Sequence, residues 1–217
     1  MYTPPPFKSD RAAALAFAQA RGFATVCAWD GGKPVASALP FCLSFTDDGP
    51  PIASFHVARG NALAGLAGGT SRWLLAVNGA DAYVSADWYV SPDQVPTWLY
   101  QAVHLTGTVG LMPEGELGAH LDVLSAKFES WLAPKPAWTV AKVSAGRQET
   151  LKKAIVGLVM TVEEIEGSFK LNQHKSDADH MAVAGALAKQ GDPGSRQIAG
   201  VMRELRPQVF ANEAEQV

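Results

Sequence analysis

The sequence predicts a mainly β protein in which about six strands form a small barrel with helices at its margins. Three observations support this fold class. Short runs rich in β-branched and aromatic residues follow one another with mostly short connections. Turn signals such as Asp30-Gly31-Gly32 separate these runs. Apolar residues at helical spacing are confined to a few segments outside them.

The amino-terminal part of the chain predicts a helix followed by a β-hairpin. Ser9 is a candidate N-cap for an Ala-rich helix over residues 10–21, and Gly22 is placed to end that helix. Residues 23–28 and 35–45 have strand composition, and the Asp-Gly-Gly turn lies between them. We therefore expect these two strands to pair.

The middle of the chain supplies the remaining strands of the barrel. Strand patterns are found at residues 52–57, 72–78, 82–85 and 97–111, and a last one at 154–165. Short or amphipathic helices are expected after Asn61, through Leu63 and Leu66, and over residues 116–132. Two more helices are predicted at 179–190 and 195–205. We expect a barrel domain over residues 1–170 and a helical extension over 171–217.

Composition narrows the class of protein. The chain has 217 residues, 47% of them hydrophobic, which is enough for a full core. A net charge of −3 and a pI near 5.9 argue against a generally basic surface for nucleic acid or an anionic membrane. No secretory leader or long apolar span is evident, so a cytoplasmic location without membrane contact is expected. Cys27 and Cys42 lack metal-ligand spacing, so they are interpreted as reduced core thiols.

The segment over residues 81–107 is the strongest functional signal. Large aromatic residues there alternate with hydroxyl residues, one His and Pro96. Aromatic rings give flat apolar contact, while hydroxyl and indole groups fix the orientation of a ligand. This segment therefore predicts a site for a planar, partly polar molecule.

Several short motifs in order along the chain carry a resemblance to a known family. They are Met1-Tyr2-Thr3-Pro4, His56-Val57-Ala58-Arg59-Gly60-Asn61, the block from Asp81 to Tyr89, Pro96-Thr97-Trp98-Leu99-Tyr100 with Val103-His104, Ile155-Val156-Gly157, and Lys170-Leu171-Asn172-Gln173. Together they resemble the PaiB family of FMN-binding negative transcriptional regulators. The resemblance implies a split β-barrel akin to pyridoxamine phosphate oxidase and flavin reductases. It also implies a homodimer with FMN at the subunit interface.

The same resemblance implies a set of cofactor-binding residues. The set is His56, Ala58, Arg59, Asn61, Ser85, Trp98, Tyr100, His104, Lys170 and Gln173. Independently of the family, Arg59-Gly60-Asn61 before a short helix suits a phosphate, because Arg, a close backbone and a helix N-terminus all attract anions. The competing interpretation is a solvated Arg59 with Asn61 as an ordinary N-cap.

Other functions stay open at this level. A flavin-dependent oxidoreductase acting on a small substrate is one alternative, since a flavin would carry the redox chemistry itself. A haem-binding split barrel is a second, resting on His56, His104 and His174, although no metal-ligand spacing is present. The helices within 179–206 resemble a helix-turn-helix only superficially, because a net charge of about +1 is low for DNA contact. A packed α-hairpin is favoured, with a regulatory protein or DNA as the expected partner.

Overall fold

The computed structural model describes residues 1–211, and six strands in it form a closed barrel. The strands are β1 (Phe23–Trp29), β2 (Pro34–Ser44), β3 (Ile52–Ala58), β4 (Arg72–Val84), β5 (Thr97–Leu111) and β6 (Ile155–Lys170). Their order around the barrel is β1-β2-β3-β6-β5-β4. β2 is antiparallel to both β1 and β3, and β6 is antiparallel to β3. The predicted mainly β barrel with marginal helices is confirmed.

Six α-helices and four 3-10 helices accompany the strands within residues 1–211. The α-helices are α1 (Arg11–Arg21), α2 (Glu116–Ser130), α3 (Ala145–Lys153), α4 (Asp177–Ala188), α5 (Pro193–Leu205) and α6 (Pro207–Phe210). The 3-10 helices are Pro5–Phe7, Ala62–Leu66, Ala86–Trp88 and Val140–Lys142. No helix among these residues is long and apolar enough to cross a bilayer.

Local sequence explains how the first elements begin and end. The carboxylate of Asp10 accepts a hydrogen bond from the Ala13 amide at 2.7 Å, so Asp10 caps α1 and the predicted cap at Ser9 is wrong. Gly22 ends the helix in the left-handed region, with φ +57°. At the hairpin, Asp30 Oδ1 accepts from the amides of Gly32 and Lys33, which fixes the predicted turn.

Three segments differ from the sequence-based expectation. The two strands expected over residues 72–85 are one continuous strand, β4, because Gly79 does not interrupt the sheet. β6 continues five residues beyond the predicted end at residue 165. Residues 133–153, for which the sequence predicts no element, hold a 3-10 helix and α3, whose apolar content is too low to give a helical pattern.

The chain divides into two compact units. The first comprises residues 1–14, 78–103 and 166–217, of which 212–217 lie outside the described residues. Its core combines strand residues with α4 and α5. The buried members are Ala82, Val84, Leu99, Leu171, Val183, Ala184, Leu187, Ile198, Ala199, Met202 and Phe210. The predicted α-hairpin therefore buries its apolar faces against the ends of strands.

The second unit comprises residues 15–77 and 104–165 and contains the β1-β2-β3 meander. Burial alternates along β3, where Ala53, Phe55 and Val57 are inside and their neighbours are partly exposed. β5 and β6 approach closely in this unit at Gly107, since a Cβ there would lie 1.8 Å from the Thr161 carbonyl oxygen. Only glycine allows that approach without displacing a backbone.

Candidate functional site

The ten residues predicted to bind a cofactor fall into both compact units. His56, Ala58, Arg59, Asn61 and His104 lie in the second unit, and Ser85, Trp98, Tyr100, Lys170 and Gln173 lie in the first. Within each unit the structure brings some of these residues to a cavity and gives others a structural role.

The first unit contains a cavity of about 230 Å³ with a cationic lining. We call it the Lys170 cavity, and its main lining residues are Phe7, Tyr89, Thr97, Lys170, His174 and Lys175. Lys170 Nζ donates to Thr97 Oγ1 at 2.5 Å and lies 5.8 Å from the Phe7 ring centroid. Lys175 Nζ donates to Gln94 Oε1 at 2.5 Å and lies 5.0 Å from the centroid of Tyr89. Both ammonium groups are thus held in place by neutral partners and aromatic rings.

A tight turn after β6 positions these cations. Asn172 lies in the left-handed region, with φ +58°, and its side-chain amide is 3.3 Å from the Tyr89 hydroxyl. Gln173 accepts from the Leu171 amide at 2.7 Å and donates to the Phe169 carbonyl. The predicted cofactor residue Gln173 therefore serves the turn, because both ends of its amide already have backbone partners. Lys170 and Lys175 are placed on either side of that turn.

The electrostatics of the Lys170 cavity suit an anion. Partial burial and the positive charges of Lys175, Lys170 and Arg206, in that order, lower the pKa of His174. His174 is therefore neutral at neutral pH and packs edge-on against Phe7, with ring centroids 5.1 Å apart. Neither cavity lysine forms an ion pair within the described part of the chain. A bound anion would supply the missing negative charge.

Arg59 lies in the second unit on an exposed turn after β3. Its Nε donates to the Lys153 carbonyl at 2.9 Å and its Nη2 to the Ile155 carbonyl at 3.1 Å. The guanidinium has five N–H donors, so three are left for a ligand. Arg59 lines a cavity of about 280 Å³ together with Lys152 and Glu114, and the glutamate opposes an anion there.

Asn61 acts as the N-cap of the five-residue 3-10 helix. Its Oδ1 accepts from the Leu63 amide at 3.0 Å, and its Nδ2 donates to Ser37 Oγ at 2.9 Å. The amide of Asn61 itself donates to the Ala58 carbonyl at 2.8 Å, which closes the turn. Asn61 is therefore an ordinary helix N-cap, and Ala58 takes part through its backbone carbonyl, which accepts the hydrogen bond that closes the turn.

His56 is paired with a residue that sequence reasoning missed. His56 Nδ1 lies 3.2 Å from Nε2 of His120, which is only 7% exposed. Burial lowers the pKa of His56, and burial together with the charge of His56 lowers the pKa of His120 to about 4. His104 lies half-buried on β5. Within residues 1–211 no group of three His, Cys, Asp or Glu could hold a metal ion.

The remaining predicted residues, Ser85, Trp98 and Tyr100, all lie in the first unit. Ser85 Oγ accepts from the Asp87 amide at 3.3 Å and so caps the 3-10 helix Ala86–Trp88. Trp98 is 54% exposed and lies edge-on to Tyr83, with centroids 5.9 Å apart. Tyr100 is half-buried on β5. Trp98 lines a cavity of about 420 Å³ in the first unit.

Phe7, Tyr89, His174 and Lys175 of the Lys170 cavity are not among the ten predicted cofactor residues, although Tyr89 lies in the aromatic segment over residues 81–107 and His174 is a candidate haem ligand. The pair Lys170 and Lys175 could have been noticed as two cations spaced five residues apart across a turn-forming Asn-Gln. Phe7 could not, because it reaches the cavity from a distant part of the chain. A further cavity of about 310 Å³ in the second unit, lined mostly by apolar residues such as Trp138, Val140 and Leu151, also lay outside the prediction.

Comparison with known proteins gives independent evidence on the family of this chain. A family model described as "Putative FMN-binding domain" matches residues 1–164. The "Protease synthase and sporulation protein PAI 2" of Bacillus subtilis is 34% identical over 211 residues, which cover 96% of this chain and 100% of that protein. The "Uncharacterized protein AN0679" of Emericella nidulans is 27% identical over 118 residues, 51% of this chain and 47% of its own length.

A solved structure resembles the fold. The FAD and haem binding protein from Mycobacterium smegmatis aligns with a TM-score of 0.53 and 21% sequence identity, over 75% of this chain and 73% of that one. At that identity the likeness concerns the fold alone. It agrees with the split barrel expected from the sequence motifs.

Proposed function

This chain belongs to the PaiB family of FMN-binding split-barrel proteins, and we propose that the phosphate of its FMN is held in the Lys170 cavity. The observation that carries the proposal is the pair of lysines, Lys170 and Lys175, which are fixed by neutral partners and form no ion pair with a carboxylate of residues 1–211. A phosphate dianion bound there would gain two charge-assisted contacts. The assignment of the phosphate to Arg59 stays a prediction, and the experiment below separates the two.

The donor set of the cavity fits FMN. Ammonium groups and the Thr97 hydroxyl are suited to phosphate oxygens, and neutral His174 can donate or accept one hydrogen bond. The rings of Phe7 and Tyr89 give apolar surface beside the cations. When bound, FMN supplies hydride or single-electron transfer. The chain itself would neutralise the phosphate charge and orient the cofactor.

We further propose that the protein is regulatory and acts through a protein partner. The arginines of the carboxyl-terminal helices have structural partners, which supports a packed hairpin over a DNA-reading one. Arg196 donates to the carbonyls of Gln190 and Gly191, and Arg206 to those of Gln173 and Lys175. Arg203 lies over the Phe210 ring at 4.6 Å. Residues 171–211 would then be the described part of an extension that signals the state of the cofactor.

Titration with two flavins tests the phosphate assignment. Lys170→Met should weaken FMN binding on the order of ten- to a hundred-fold, because a charge-assisted hydrogen bond contributes about 1.5–3 kcal/mol. Riboflavin, which lacks the phosphate, should bind the parent weakly and be indifferent to the substitution. Lys189→Met, which removes an exposed lysine of the same unit, is the matched control. Equal weakening of both flavins by Lys170→Met would overturn the assignment.

A second measurement separates a regulator from an enzyme. The FMN-loaded protein is mixed anaerobically with NADH or NADPH, and the visible absorption of the flavin is followed. A regulator should keep its yellow colour or bleach once without turnover. Sustained oxidation of the nicotinamide after air is admitted would instead identify a flavin-dependent oxidoreductase.

A further inference from the structure

A second cavity of the first unit has a lining of opposite character. It measures about 420 Å³, and we call it the aromatic cavity. Its main lining residues are Asp81, Tyr83, Trp88, Trp98, Asp192 and Ser195. Within the described residues this lining contains three aromatic rings and two carboxylates but no lysine or arginine. The charge of this lining is therefore opposite to that of the Lys170 cavity.

Close packing of two elements creates the aromatic cavity. Asp81 and Tyr83 lie on β4, Trp98 lies at the start of β5, and Asp192 is the N-cap of α5. A Cβ at Gly194 would lie 2.5 Å from the Asp81 carbonyl oxygen. The glycine thus lets the first turn of α5 reach β4, which brings the two carboxylate-bearing residues to one cavity.

The aromatic rings are available to a ligand. Trp98 is 54% exposed and Tyr83 is 49% exposed, high values for side chains of this size. Their edge-on contact, with an interplanar angle of 67°, holds the two rings in different orientations. Both rings line the aromatic cavity. Such surfaces bind either flat apolar groups or cations.

The charges decide between those two ligand classes. Hydrogen bonds from the Ser195 backbone and hydroxyl lower the pKa of Asp192, so it is ionised at neutral pH. The nearby Arg196 offsets part of that charge, but its Nη1 is occupied by the Gln190 and Gly191 carbonyls, at 3.1 and 2.7 Å. Asp81 is exposed and adds a second carboxylate. An anion such as a flavin phosphate would be repelled from this lining.

We propose that the aromatic cavity binds a small organic cation, an alkylammonium whose charged head lies against the rings of Tyr83 and Trp98 beside Asp81. Aromatic faces attract cations through the negative quadrupole of the ring, and they do so best when water is partly excluded. A metal ion is a poorer match, because aromatic rings offer it no ligands and two carboxylates leave its coordination incomplete. The cavity volume leaves room for several carbon atoms around the charged nitrogen.

Choline and its uncharged carbon isostere 3,3-dimethylbutan-1-ol provide the direct test. Each is titrated against the full chain, with binding followed by tryptophan fluorescence and by calorimetry. Choline should saturate with a Kd on the order of 10 μM to 1 mM, and the isostere should bind at least about ten-fold more weakly. Equal affinity for the two compounds would show a merely apolar cavity and overturn the proposal. Failure of choline to bind would overturn it as well, including the case in which a second copy of the chain covers the rings.

Variants of one ring and one carboxylate locate the site. Tyr83→Leu should weaken choline binding about ten-fold, while Tyr83→Phe, which keeps the ring, should leave it within about two-fold. Asp81→Asn should weaken it several-fold and reduce its salt dependence, since an exposed carboxylate is screened by ions. Thermal unfolding of each variant shows that the chain is folded. Unchanged choline binding in both Tyr83→Leu and Asp81→Asn would place the cation elsewhere and contradict the assignment. Because FMN binding is titrated separately at the Lys170 cavity, either result is independent of the flavin proposal.

Discussion

His56 and His120 share a single hydrogen bond, with His56 Nδ1 and His120 Nε2 3.2 Å apart and the ring centroids separated by 5.4 Å. One nitrogen must donate and the other must accept, so at least one ring has to be neutral. The other ring nitrogen of His120, Nδ1, is buried and has no partner among the described residues. Protonation of His120 would therefore place a second N–H in a buried site with nothing to accept it.

The pair predicts a loss of stability in acid. The pKa of His120 is lowered from 6.5 to about 4, so the unfolded chain binds a proton that the folded chain refuses. Neutral His120 therefore stabilises the fold fully above about pH 6.5. As the pH falls from 6.5 towards 4, the unfolded chain takes up the proton first and the free energy of unfolding decreases. Urea unfolding across that range should show a falling midpoint for the parent and a shallower fall for His120→Leu. Identical pH slopes in the two proteins would contradict this account of the pair.

Gly107 should tolerate no side chain. A Cβ at this position would lie 1.8 Å from the Thr161 carbonyl oxygen, and a backbone atom cannot move aside as a side chain can. Gly107→Ala should lower the free energy of unfolding by about 1–3 kcal/mol or more, because overpacking forces the strands apart. Gly110→Ala on the same strand, where no atom lies within 4 Å of the added Cβ, is the matched control. Similar melting temperatures for the two variants would show that β5 and β6 are not in close contact there.

Arg59 should contribute to the stability of the fold and not to the binding of the FMN phosphate. Arg59→Ala removes two hydrogen bonds to the Lys153 and Ile155 carbonyls, and we expect unfolding to become easier by about 1 kcal/mol. The ratio of FMN to riboflavin affinity should stay within about two-fold of the parent. If FMN alone weakens ten-fold or more, the phosphate lies at Arg59 as the motif suggested, and the Lys170 assignment is wrong.

Self-association is expected from the exposed segment that follows the 3-10 helix Ala86–Trp88. Val90 and Val95 are 68% and 74% exposed, an apolar surface better suited to an interface than to water. We predict a homodimer, so sedimentation at micromolar concentration should give twice the chain mass. Val90→Asp should shift the protein towards the single-chain mass, because an unpaired charge would be buried. A monomeric parent would rule out this dimer.

Local sequence signals were sufficient for most of the fold and for the family. Strand composition, the Asp30 turn and Gly22 gave the barrel elements, because β-branched runs and turn residues act over a few positions. The ordered motifs gave FMN, which the family match supports. Two predictions failed where the local signal was weak. α3 was not predicted because it lacks an apolar face. The N-cap of α1 was assigned to Ser9 although Asp10 is an equally acceptable cap by residue type.

The sequence by itself determined the six-stranded barrel, the helical carboxyl-terminal segment and the flavin family. Only the tertiary structure decided which predicted residues are free for a ligand. The side chain of Asn61 is occupied by the Leu63 amide and the Ser37 hydroxyl, and that of Gln173 by backbone groups. Lys170 and Lys175 line one cavity together with Tyr89 from a different part of the chain. The reason is physical. The type of a side chain sets its chemistry, but residues distant in sequence supply its hydrogen-bond partners and its electrostatic environment.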